Sequence, residues 1–210
     1  GFVSYGGDVD NAPRLSDLFA DHRAPVFANL YQVYDWDGDY PGAFWPLTEP
    51  EVTLAGLAST PGETLHTPGM FAPHEIYGGG YQAMVLYATE QLLTLKYTRE
   101  DNVVQGYTIH LEGICVEPSL LALYQQSDAS GRGHLPGLKA GQPLGRAREG
   151  EVKLAIRDVG SFMDPRSHKD WWRDIPWASN IVTLEARGQG WFERHQHAMA
   201  VRTGRVPAGQ

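Results

Sequence analysis

The segment Glu151–Asp158 sets Val152, Leu154 and Ile156 at every second position. In an extended chain such residues share one face. An eight-residue strand with one apolar face must lay it against a second layer, and this requirement governs the rest of the reading. Further strand-like runs span 26–36, Tyr81–Ala88, Leu92–Thr98 and Tyr107–Leu111, with others at Val52–Gly56 and Glu63–His66. Gly 24 and Pro 14 in 210 residues supply the turns that so many short strands need. The best helix is Pro118–Gln126, with Ser119 as its cap and Leu120, Leu121, Leu123 and Tyr124 as its apolar face. A brief helix over 14–20 follows Pro13 and turns Leu15, Leu18 and Phe19 inward. Pro165–Arg173 reads as a short helix or turn, and Ser130–Gly145 as a glycine-rich loop. Two more strand candidates, Ile181–Ala186 and Trp191–Val201, lie in the tail. The expectation is a mainly β protein: an antiparallel β-sheet domain with a few short peripheral helices.

The formal net charge of −8 argues against a nucleic-acid partner, because phosphate binding needs a basic face. No apolar run approaches the roughly 18 residues of a membrane span. No signal-peptide pattern opens the chain, and its start at Gly1 reads as a trimmed or mature form. The single cysteine, Cys115, excludes an intrachain disulfide. Within Gly113–Val116 it reads as a small buried hydrophobe.

Residue patterns suggest several sites, each with a plain alternative. Asp35, Asp37 and Asp39 alternate around Gly38, as oxygen ligands of calcium loops do. No glutamate closes the loop, so an acidic surface turn is the default. His195 and His197 would share a strand face and could grip one metal ion, although a solvated tail face is the default. Trp171 and Trp172, close to Trp177, form an aromatic patch that either stacks on a ligand or caps the open end of the core. No nucleophile elbow, phosphate loop or dinucleotide fingerprint is present, and no cofactor is expected.

Three stretches in order carry a resemblance. The first runs from Gly56 through Thr60-Pro61-Gly62-Glu63-Thr64-Leu65 to Pro68. The second runs from Ile76-Tyr77-Gly78-Gly79-Gly80-Tyr81 to Tyr107-Thr108-Ile109-His110-Leu111. The third joins Ala140-Gly141-Gln142-Pro143-Leu144-Gly145 to Val152–Asp158 and Asp164-Pro165. Over residues 50–166 this order resembles the lysostaphin-type (LytM-like) cell-wall zinc endopeptidases. The resemblance implies a core at 49–166, with an N-terminal extension at 1–48 packed on it and a C-terminal extension at 167–210.

The family's zinc is held through an H-x-G-x-D motif and an H-x-H motif. The matching positions here are Val52 and Gly56, then Glu151 and Lys153. Only His110 keeps a family histidine. The implied protein is a pseudo-metallopeptidase of the cell envelope or extracellular space. It would bind a glycan, peptide or protein partner through the former peptidase groove, leaving room for a homo-oligomer. The implied ligand-binding residues are Tyr77, Tyr81, Tyr97, Arg99, Glu151, Lys153, Trp171 and Trp172, with Asp101 nearby and His110 as a catalytic remnant. The alternatives are a hydrolase whose ligands have moved to His110, His195 and His197, and a structural assembly protein.

Overall fold

The computed structural model describes residues 12–36, 44–72 and 74–176. The chain divides into two units, Gly1–Ile175 and Pro176–Gln210, and the architecture below belongs to the first. Its strands are β1 (Phe27–Tyr31), β2 (Tyr34–Trp36), β3 (Phe44–Pro46), β4 (Leu54–Ala58), β5 (Thr64–His66), β6 (Tyr81–Ala88) and β7 (Leu92–Lys96). They continue with β8 (Thr108–Glu112), β9 (Ile114–Val116), β10 (Gly137–Lys139), β11 (Pro143–Ala147), β12 (Glu151–Asp158) and β13 (Ser161–Met163). One α-helix, α1 (Pro118–Ala129), and a 3₁₀ turn at Leu15–Leu18 complete the described elements. The fold is mainly β and its ladders are antiparallel, as the sequence leads one to expect.

The main sheet runs β1-β4-β12-β8-β7-β6-β10, with β13 folded back on β12. A second sheet, β5-β11-β9, shares one core with it, and β2-β3 forms a separate hairpin. The period-two pattern of β12 is realised: Val152, Leu154 and Ile156 are fully buried. Opposed residues of antiparallel strands share a face. Leu111 and Ile109 therefore join Leu154 and Ile156 on the core side, with Leu93 and Leu95 beyond them. Leu65, Leu144 and Ile114 meet this face from the second sheet. Leu15, Leu18 and Phe19 are buried as expected, on a 3₁₀ turn rather than an α-helix. Segments on both sides of residues 49–166 enter the same unit, since β1 pairs with β4 and Trp171 and Trp172 lie in the core.

Four local expectations are corrected. The cap of α1 is Glu117 and Pro118 takes the first turn, so Ser119 lies inside the helix. Of the expected apolar face, Leu120 and Tyr124 are buried, whereas Leu123 is exposed. The loop Ser130–Gly145 contains β10 and the start of β11. Each is so short that no periodicity betrays it. Cys115 is exposed, because Ile114 and Val116 on either side take the inward positions of β9. The tail strands fall outside the described residues.

Candidate functional site

Two neighbouring features draw the candidate residues together. The first is the side of the main sheet that faces away from the core. Ladder register puts Gly56 opposite Lys153, Lys153 opposite Glu112, and His110 between Ala155 and Thr94. The bulge in β1 brings Asn29 opposite Gly56 and Tyr31 opposite Leu54. Asn29 Nδ2 and Tyr31 Oη donate hydrogen bonds to the two carboxylate oxygens of Glu151. That bond raises the pKa of the Tyr31 phenol. The Lys153 ammonium lies 5.0 Å from the centre of the Tyr31 ring.

Gly56 makes this arrangement fit. A Cβ there would stand 2.8 Å from Glu151 Oε1 and closer still to Oε2. The Glu151 carboxylate thus occupies the space that a side chain at 56 would need. The positions matched to zinc ligands at 56, 151 and 153 do share one sheet face. They present a glycine, a hydrogen-bonded carboxylate and an ammonium. Among the described residues, no group of three or more His, Cys, Asp or Glu could hold a metal ion.

His110 sits farther along the same face. Its Nδ1 lies 3.1 Å from Thr94 Oγ1, and its Nε2 is buried with no hydrogen-bond partner. Phe162 of β13 covers it, with ring centroids 6.3 Å apart. Burial, aided by the positive charge of Arg157, pushes the His110 pKa down to about 4, so the ring is neutral at pH 7. Thr108 and Lys96, opposed across β7 and β8, are fully buried, and neither side-chain polar atom has a hydrogen-bond partner. Burial lowers the Lys96 pKa, against the pull of Glu100 and Asp158. The row Arg157–Thr108–Lys96–Met84 crosses four adjacent strands.

Met84 leads to the second feature, a groove of about 620 Å³. It is lined by Tyr77, Tyr81 and Arg99, by Leu123 and Ser127 of α1, and by His134 and Leu135 beyond the helix. The turn that delivers Tyr81 needs two glycines at φ +95° and +89°, Gly79 and Gly80. The Arg99 guanidinium lies 5.2 Å from the centre of the Tyr77 ring. Arg132 ties the helix wall in place. It donates to Tyr124 Oη, Asp128, Asp101 and the Leu86 carbonyl at 2.6–2.9 Å. This raises the Arg132 pKa and lowers that of Asp101.

Three expected binding residues stand elsewhere. Tyr97 is buried and its hydroxyl donates to the Pro68 carbonyl at 2.9 Å. Trp171 and Trp172 are buried, and their indole N–H groups donate to the carbonyls of Asp164 and Pro165 at 2.8 and 2.9 Å. Trp171 packs edge-on against Tyr107, and Trp172 against Phe27. These rings close the core and leave no free face for a ligand. Asp37, Asp39, His195 and His197 lie outside the described residues.

Sequence reasoning missed Thr94, Lys96, Thr108, Met84 and His134. Period two along β7 and β8 was a usable signal for the first three. Asn29 and Tyr31 gave none, because only the β1 bulge and the register with β4 aim them at Glu151.

No family model matches the chain, and no characterised protein matches it in sequence.

Proposed function

We propose that this chain is a non-catalytic binding or regulatory domain of the cell envelope or extracellular space, on a degenerate lysostaphin-type scaffold. It recognises a glycan, peptide or protein partner through the groove. The observation that carries the reading is the convergence of Tyr77, Tyr81 and Arg99 on one groove. Aromatic faces beside a guanidinium form a surface suited to binding.

The common sheet face of Gly56, Glu151 and Lys153 supports the scaffold half of the reading. Zinc activates water when several protein ligands hold it and one position stays open. A glycine has no ligand atom, and a lysine ammonium has no lone pair to offer. The Glu151 carboxylate is engaged by Asn29 and Tyr31.

Co-sedimentation with purified peptidoglycan sacculi tests this reading. Wild-type protein should bind saturably, and Tyr77→Ala and Tyr81→Ala should each weaken binding about tenfold. Tyr77 is 62% exposed, so its loss should leave the fold intact. Failure of the wild type to bind saturably would overturn the reading, as would undiminished binding by both variants.

A further inference from the structure

The chain is acidic, yet no residue lining the groove is Asp or Glu. The titratable cation-forming residues on its walls are Arg99 and His134. Lys139 stands close by, its ammonium 5.3 Å from the centre of the Tyr81 ring. Of the carboxylates nearby, Asp101 and Asp128 are both engaged by Arg132 at 2.6–2.8 Å, and Glu100, next to Arg99 in the chain, is held by the Thr98 hydroxyl and backbone N–H groups and by the charge of Lys96. Arg99 is exposed and has no ion-pair partner among the described residues. A guanidinium spared a carboxylate in this setting is matched to an anionic ligand group, which it can receive with two parallel N–H donors.

The rest of the lining selects the body that carries the anion. Ile76, Met84, Leu123 and Leu135 give an aliphatic bed. Sugar hydroxyls call for acceptors such as carboxylates and carboxamides, and the lining has no Asp, Glu, Asn or Gln side chain. Short aliphatic side chains suit this bed better.

We infer that the groove captures the carboxy-terminal end of a short apolar peptide. Its α-carboxylate pairs with Arg99, and its aliphatic side chains lie on Met84, Leu123 and Leu135. Carboxylate capture is a recurrent mode of peptide recognition. The inference rests on the groove being the binding surface proposed above, and it names the ligand class.

The test uses the full chain and a library of tetrapeptides ending in small aliphatic residues and immobilised through their N-termini. Each member is presented as the free acid and as the C-terminal amide. Free acids should be bound at least about tenfold more tightly than the matching amides. Arg99→Ala should abolish that preference, and Arg99→Lys should restore part of it. Equal binding of acids and amides would overturn the inference, as would a preference indifferent to Arg99→Ala or the absence of binding to any free acid. Sacculus binding measured alongside separates the two proposals. If sacculi bind while acids and amides are not distinguished, the carboxylate inference falls and the groove reading stands. If sacculi are not bound either, both fall.

Discussion

Replacing Gly56 by alanine should expose the packing that joins β1, β4 and β12. A Cβ at 56 would overlap the Glu151 carboxyl group, with Oε1 at 2.8 Å and Oε2 nearer. The carboxylate is the far end of a flexible side chain and can swing away. In doing so it gives up the hydrogen bonds from Asn29 and Tyr31. Hydrogen bonds to a charged group contribute about 1.5–3 kcal/mol when sheltered, and less at this partly exposed site. The loss should therefore come to about 1–2 kcal/mol. Against it stands the gain of about 0.4–1 kcal/mol that alanine brings over glycine by restricting the unfolded chain. Gly56→Ala should destabilise the wild type by about 1 kcal/mol. In a Glu151→Ala background, where nothing occupies that space, the same substitution should stabilise by about 0.5 kcal/mol. The difference is a coupling of about 1.5 kcal/mol, readable from urea melts of the four proteins in a double-mutant cycle. Additive effects within about 0.5 kcal/mol would refute the claim that Glu151 fills the space above Gly56.

Three further outcomes follow from other contacts. His110 has a folded-state pKa of about 4 against 6.5 unfolded, so the unfolded chain binds the extra proton between those values. Stability should fall as pH drops from about 6.5 to 4, by up to about 3 kcal/mol. His110→Gln should flatten this slope in melts at stepped pH, and an unchanged slope would refute the assignment. Exposed Cys115 should react with a thiol reagent in native buffer at a rate close to that in urea; reaction only after unfolding would contradict the β9 orientation. Arg132→Ala should lower stability by about 2–3 kcal/mol, since it removes bonds to Asp101, Asp128, Tyr124 and Leu86 together; a change below about 0.5 kcal/mol would refute the bracing role.

The strands most legible in the sequence were those whose period two persists. β6 and β12 occupy the expected bounds, because Tyr81–Ala88 and Glu151–Asp158 are long enough to show an apolar face. β10, β11 and β13 have three to five residues with glycine, proline or polar positions, so pairing alone makes them strands. The groove was half legible. Tyr77, Tyr81 and Arg99 meet there, but Met84, Leu123 and His134 are added by the sheet and by α1. Tyr97, Trp171 and Trp172 show the limit of composition, since an aromatic that binds and an aromatic that seals a core look alike in sequence. Their burial and satisfied polar groups distinguish them here. Gly56 and Glu151 are 95 positions apart, and only the ladder between β4 and β12 reveals that one makes room for the other.

The central claim is recognition without cleavage. Its most direct test is one sedimentation experiment on zinc-supplemented sacculi, with the pellet assayed for bound protein and the supernatant for released muropeptides. The account predicts saturable protein in the pellet and no soluble fragments above the protein-free control. Fragments that accumulate with time, and stop on chelation or in a His195→Ala/His197→Ala variant, would contradict it and make the chain a hydrolase.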